Sequence, residues 1–120
     1  MRSTASWRSY KCGRNKVVDH GKVRRESLRW NLINTLNKAR PHATHEQFLL
    51  DVMRAIYLDA TPLELRRELD YLADRELVRL DKSPSGAWFA DLTRYGVDIA
   101  EYTIECEPGI ARPVKYWAGN

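Results

Sequence analysis

Cysteine is nearly absent: the 120-residue chain has two, Cys12 and Cys106, far apart and outside any CxxC spacing. A disulfide-built secreted module and a cysteine-based zinc site both lack their material. The reading that fits is two reduced thiols in a cytoplasmic protein, with a Cys12–Cys106 disulfide as the alternative. Long apolar runs are missing too. No stretch approaches the roughly 18 residues of a membrane span, so no membrane partner is expected. The basic N-terminus lacks the apolar segment of a secretory signal, which again favours the cytoplasm. There is no Gly-rich phosphate loop and no GxSxG motif. The three histidines do not cluster with the cysteines, although His42 and His45 lie three apart across an expected helix start. No enzymatic activity, cofactor or metal is therefore expected.

What is present is a segregated charge pattern. The net charge of +4 hides a basic front: residues 1–30 carry nine Lys/Arg against Asp19 and Glu26, whereas residues 31–120 carry eleven against fourteen acids. The chain reads as a basic arm on a mildly acidic body. Residues 1–18, "MRSTASWRSYKCGRNKVV", show no helical or strand period and concentrate like charges. They are expected to be a mobile arm that orders against a partner.

The body divides by its punctuation. A first helix is expected from between Asp19 and Lys22 to about Ala39, with Leu28, Leu32, Ile33 and Leu36 as its apolar positions. "ARPHAT" stops it. Thr44 is then expected to cap a second helix, with Gln47 at the capping-box position. Phe48, Leu49, Val52, Met53, Ile56 and Tyr57 give that helix a broad apolar stripe suited to burial on two sides. Thr61 followed by Pro62 is a strong start for a third helix, running to about Arg75, with Glu64 where a capping box wants a carboxylate. Leu65, Leu69 and Leu72 form its buried stripe, with Glu64, Arg67, Glu68 and Tyr71 largely elsewhere on the wheel. "LVRLDK" and "AWFADL" alternate around "SPSG", which reads as a β-hairpin. Thr93 is expected to cap a last helix, "RYGVDIAEYTIE", ending at Glu105 and weakened by Gly96. The tail from residue 106 to 120 is rich in Pro and Gly and is expected to be irregular.

Three helices, a hairpin and a C-terminal helix give an α+β, mostly α fold, in the order of a winged helix-turn-helix, over residues 19–105. The stretch "LRRELDYLADRELVRL", a turn, a strand and "LTRYGVDIAE" resemble bacterial winged-helix regulators. Those families usually carry Gly before the position of Leu77, ending the helix in a left-handed turn. Here that residue is Glu76, so the helix is expected to end by another geometry. A narrower resemblance covers most of the body. "DHGKVRRESLRWNLINTLNKARP", "AIYLDATPLELRRELDYLADRELV", "SGAW", "LTRYGVDIAEYT" and "CEPGIARPVKYW" look like small winged-helix proteins of Mu-like transposable phages and prophages. That resemblance implies a phage-encoded protein made in a bacterial cytoplasm, and little about biochemistry.

The candidate contacts to double-stranded DNA fall in three places. On the third helix they are Thr61, Arg66, Arg67 and Tyr71, which in this fold would face a major groove. From Pro62 to Glu76, however, three Arg face five acids, and a phosphate-lined groove repels such a surface. The plainer reading is a structural helix with a solvated face. At the hairpin tip, Lys82 is placed to meet a phosphate, while Trp88 reads as a core or strand-face anchor. The arm is the best electrostatic candidate: Arg8, Lys11, Arg14 and Lys16, with Arg2 before them and Lys22, Arg24, Arg25 and Arg29 after, interleaved with Trp7 and Tyr10. The expectation is a DNA-binding regulator or accessory factor whose affinity lies in the arm and first helix. The alternative is a protein–protein adaptor for a phage or host partner. A homodimer is also expected, through the first helix and a C-terminal apolar patch of Tyr102, Ile104, Tyr116 and Trp117.

Overall fold

The computed structural model describes residues 18–115. Helix α1 spans His20–Ala39, and the Asp19 carboxylate caps it by accepting the Lys22 amide at 3.1 Å. A two-residue strand β1, Thr44–His45, leads directly into α2, Glu46–Ile56. Helix α3 follows at Pro62–Asp74, then β2 at Val78–Lys82, β3 at Trp88–Leu92, and α4 at Arg94–Ala100. The described chain is thus α+β and mostly helical: four helices and one small antiparallel sheet of order β1–β3–β2.

Strand β1 has no counterpart in the expected elements, and it corrects the role given to Thr44. Thr44 pairs with Ala90 and His45 with Phe89. The helix cap therefore shifts by one residue, to His45, whose Nδ1 accepts the Gln47 amide at 2.9 Å. The Thr44 side chain turns inward and its hydroxyl is buried without a partner. The other two caps fall where local chemistry puts them. Thr61 Oγ1 accepts from the Glu64 amide before Pro62, and Thr93 Oγ1 accepts from the Gly96 amide, both at 3.1 Å.

One core joins the layers. Leu28, Leu32, Ile33 and Leu36 of α1 meet Leu49 and Met53 of α2, Leu65, Leu69 and Leu72 of α3, and Leu77, Val78, Ala90, Leu92 and Ile99 from the sheet and α4. The "LTRYG" stretch ties the end of α3 to the start of α4. Thr93 Oγ1 donates to the Glu76 carbonyl at 2.6 Å, while the Thr93 amide reaches the Leu77 carbonyl at 3.0 Å. Gly96 then passes so close that a Cβ there would collide with the Leu77 carbonyl oxygen and reach within 2.9 Å of Leu92. Glycine at this point is imposed by space, not by helix propensity.

The end of α3 departs from the geometry expected of a residue other than glycine. Glu76 adopts φ 64°, the left-handed conformation usually given to glycine. The Glu76 amide bonds to the Ala73 carbonyl and the Leu77 amide to the Leu72 carbonyl, each at 2.9 Å. These are the paired bonds of a Schellman close, with Leu72 and Leu77 buried as its apolar clasp. Helix α4 ends the same way at Tyr102, φ 63°, and so stops well before the Glu105–Cys106 region.

Beyond α4 the described chain has no regular element, yet it packs. Ile110 is buried, the Ala111 amide bonds to the Glu26 carbonyl at 3.1 Å, and Arg112 Nη1 caps the carbonyls of Ile99 and Ile104 at 2.9 Å. Tyr102 meets Trp30 edge-on and donates its hydroxyl to the Pro113 carbonyl at 2.7 Å. Tyr102 and Ile104 are therefore half-buried against their own chain, which corrects their placement in an outward apolar patch. Tyr116 and Trp117 lie outside the described residues.

Candidate nucleic-acid interface

Helices α1 and α3 pack side by side, and their polar residues meet across the seam. Arg24 grips Glu64 with two parallel bonds, Nε to Oε2 and Nη2 to Oε1, both 2.8 Å. Its third donor reaches Asp59 at 2.8 Å, and its plane lies 4.6 Å from the centre of the Tyr57 ring. The carboxylates raise the Arg24 pKa further, Glu64 first and then Asp59, and the Asp59 pKa is lowered in turn by Arg24. Glu64 is thus bound to α1 instead of closing a capping box.

One turn further along, Arg29 and Glu68 form a buried pair. Nε donates to Oε1 at 2.7 Å with the two side chains 12% and 5% exposed. Arg29 Nη1 also donates to the Gly109 carbonyl at 2.9 Å. The guanidinium lies 3.5 Å from the Tyr71 ring centre, and Arg75 approaches that ring at 4.5 Å. The Tyr71 hydroxyl fills the space where a Cβ on Gly109, φ 104°, would be. Glu68, expected away from the buried stripe, is instead buried, as is Thr44 among the described polar residues.

The third cluster lies between α3 and the hairpin. Arg66 makes two bonds to Glu46, Nε to Oε1 at 2.9 Å and Nη2 to Oε2 at 2.8 Å, and Nη2 also reaches the Gly86 carbonyl at 2.7 Å. The Trp88 amide donates to the same Glu46 carboxylate at 3.1 Å. Arg66 and Lys82 both stand over the Trp88 ring, at 4.7 and 4.4 Å. Lys82 is also 3.4 Å from Asp70. The Glu46 pKa is lowered chiefly by the Arg66 hydrogen bonds, and that of Arg66 is raised by the same contact.

The residues nominated from sequence therefore divide. Thr61, Arg24, Arg66, Tyr71 and Lys82 make the intramolecular contacts above. Arg25 and Arg67 are exposed and make no carboxylate contact among the described residues. Both line a cleft of about 290 Å³ between the first turns of α1 and α3, together with Gly21, Thr61 and Leu63. Arg8, Lys11, Arg14 and Lys16 lie outside the described residues. The charge count on α3 changes its meaning once the pairs are known. Glu64 and Glu68 face α1 and are matched by Arg24 and Arg29. The exposed positions of the helix are Pro62, Leu63, Arg67, Asp70 and Asp74. That face is weakly charged instead of strongly acidic.

No protein-family model, curated protein or solved structure matches the chain. Among the described residues there is no group of three or more His, Cys, Asp or Glu side chains that could hold a metal ion, and no helix is long and apolar enough to cross a membrane. Cys106 is free and half-buried, and burial pushes its thiol pKa up. No signal in the sequence marks which cations face solvent: Arg24 and Arg25 are adjacent, and only the packing of α3 separates them.

Proposed function

We propose that the chain is a DNA-binding winged-helix protein, a phage transcriptional regulator or an accessory factor in phage DNA handling. The order α1–β1–α2–α3–β2–β3, with β1 added to the hairpin, supports the winged-helix reading, in which α3 and the β2–β3 tip face the duplex. The observation that carries it furthest is the run of cations along the sequence of the arm into the first turns of α1. Residues 1–17 hold five Lys/Arg and no acid, and they join α1 at the end where Lys22, Arg25 and Arg67 are exposed. Affinity in this reading comes from phosphate contacts by the arm, Arg25 and Arg67, and α3 contributes placement.

The test is a salt-titrated binding assay on mixed-sequence duplex DNA with the full chain, residues 18–120, and Arg25→Glu/Arg67→Glu. Loss of five cations is expected to reduce the slope of log K against log salt by up to about 4.5, at roughly 0.9 per phosphate contact. The double substitution reduces affinity at low salt without changing the fold. No binding by the full chain at low salt rejects the proposal. Asp70 and Asp74 on the exposed face favour one other reading, a protein–protein adaptor. An adaptor binds no duplex at moderate salt and co-purifies with a phage or host protein.

A further inference from the structure

The cleft between the first turns of α1 and α3 makes two opposite demands on a ligand. Arg25 from α1 and Arg67 from α3 offer donors to it, and neither meets a carboxylate among the described residues. Arg25 Nη1 lies over Gly21, where a Cβ would stand 3.3 Å away, so the absent side chain leaves the guanidinium room. Arg24 and Glu64 also line the cleft, but they satisfy each other with two bonds. Glu68 is left with one oxygen open. Its side chain is 5% exposed, Oε1 is held by Arg29 at 2.7 Å, and Oε2 accepts no hydrogen bond from a described residue. Among the described residues, Thr44 Oγ1 is the only side-chain polar atom buried without a partner. Glu68 Oε2 is therefore open to solvent, and the cleft that Glu68 lines is its outlet.

We propose that the cleft binds a free α-amino acid with an apolar side chain, its carboxylate on Arg25 and Arg67 and its ammonium on Glu68 Oε2. A nearly buried carboxylate oxygen without a donor carries a desolvation cost that a ligand N–H removes. Hydrogen bonds assisted by charge at both ends of the ligand are the strong ones. Arg67 and Glu68 are consecutive, so the anionic and cationic ends of the ligand must lie close together, as they do across the single Cα of an amino acid. Leu63, 61% exposed, supplies an apolar wall for the side chain. The volume of about 290 Å³ lies just below the roughly 300–1,000 Å³ of ordinary small-molecule pockets, which suits a ligand of this size. A duplex phosphate has no proton to give Glu68 and would stop at the two arginines. The site shares those arginines with the proposed duplex contacts but does not rest on that reading, so it is tested without DNA.

Amide chemical shifts of the ¹⁵N-labelled full chain are followed as leucine, isoleucine, valine, methionine or phenylalanine is added to about 20 mM, a range that reaches millimolar affinity. At least one is expected to bind, with shifts centred on Gly21, Leu63, Arg67 and Glu68. The controls are the deaminated and decarboxylated counterparts of the best binder, which for leucine are 4-methylpentanoate and 3-methylbutylamine. Each should bind about tenfold more weakly or worse, having lost one charged contact. Arg25→Ala/Arg67→Ala, at two exposed positions, should abolish binding and leave the rest of the spectrum unchanged. Glu68→Gln should weaken the amino acid about tenfold and leave the deaminated acid unaffected, a pattern that lost stability alone does not produce. If that variant does not fold, the deaminated acid on the parent protein tests the same contact. No shift with any of the five amino acids overturns the proposal. So does a deaminated acid that binds as tightly as its amino acid, or binding that survives Arg25→Ala/Arg67→Ala.

Discussion

Removing one partner of the Arg29–Glu68 pair should destabilise the protein far more than removing both. In Glu68→Ala the guanidinium stays under the C-terminal segment, 12% exposed, with only the Gly109 carbonyl and the Tyr71 ring for company. In Arg29→Ala a carboxylate 5% exposed loses its cation, and the Gly109 carbonyl loses its donor. Breaking a buried pair from either side costs about 3–5 kcal/mol, a large part of the roughly 5–15 kcal/mol that holds a domain folded. The apolar double variant Arg29→Met/Glu68→Leu removes both desolvated charges and forfeits about 1 kcal/mol for the Gly109 bond, so it should lie within about 2 kcal/mol of the parent. Urea unfolding followed by circular dichroism of the parent, Arg29→Met, Glu68→Leu and the double variant, with a common slope, gives the coupling energy of the cycle. A coupling of about 2 kcal/mol or more is expected. Single losses below about 1 kcal/mol, or losses that simply add, would show the pair to behave as a solvated surface bridge and refute the reasoning. The double variant should also keep its duplex affinity, since Arg29 is held inside the chain.

The two left-handed helix ends predict opposite outcomes for one substitution. Glu76→Gly should stabilise by about 0.5–1 kcal/mol, because the exposed side chain contributes little and the backbone is relieved. Tyr102→Gly should destabilise by about 2 kcal/mol, since ring packing on Trp30 and the Pro113 bond are lost; equal shifts in thermal midpoint would contradict this. The Glu46 carboxylate has its pKa depressed when folded, so its contribution is complete above the ordinary Glu range and is lost as pH falls through the folded value. Glu46→Gln should therefore lower stability at neutral pH and flatten the decline between about pH 5 and 3. A decline as steep as that of the parent would remove Glu46 from the account. Thr44→Val replaces a buried, unpartnered hydroxyl by a methyl group and should raise stability by about 1 kcal/mol in urea unfolding.

Features governed by neighbours in sequence were legible before the structure. Thr61 before Pro62, Thr93 before Gly96, and the hairpin around Ser83–Gly86 follow from local capping and turn chemistry, and each is found where expected. Features decided by a distant partner were not. A two-residue strand is too short to show a period, and Thr44 pairs because Ala90 lies beside it. Glu68 borders the leucine stripe of α3 on the helical wheel, and it is buried only because Arg29 meets it from 39 residues away. The candidate site suffered most from this. Arg24 and Arg25 are chemically identical neighbours, yet one is clamped by two carboxylates and the other faces water. The apolar breadth of α2 was plain, whereas the face left open, with Phe48 and Ile56 on it, depended on where α1 and α3 came to lie.

The segment that follows α4 also sets an order of events. Arg29 and Gly109 are 80 residues apart, and the Ala111 amide closes onto Glu26 over a similar span. During synthesis the first helix emerges with Arg29 long before Gly109, whose carbonyl it holds, exists. The last contacts to form are thus the most non-local ones, which are slow to find because the intervening chain must first be closed into a loop. Until residues 109–112 arrive, the α1–α3 seam is half-open, with the Arg29–Glu68 pair still wet. A nascent or prematurely ended chain would pass through that state, and a protease or chaperone that recognises loosely covered helices would meet it there.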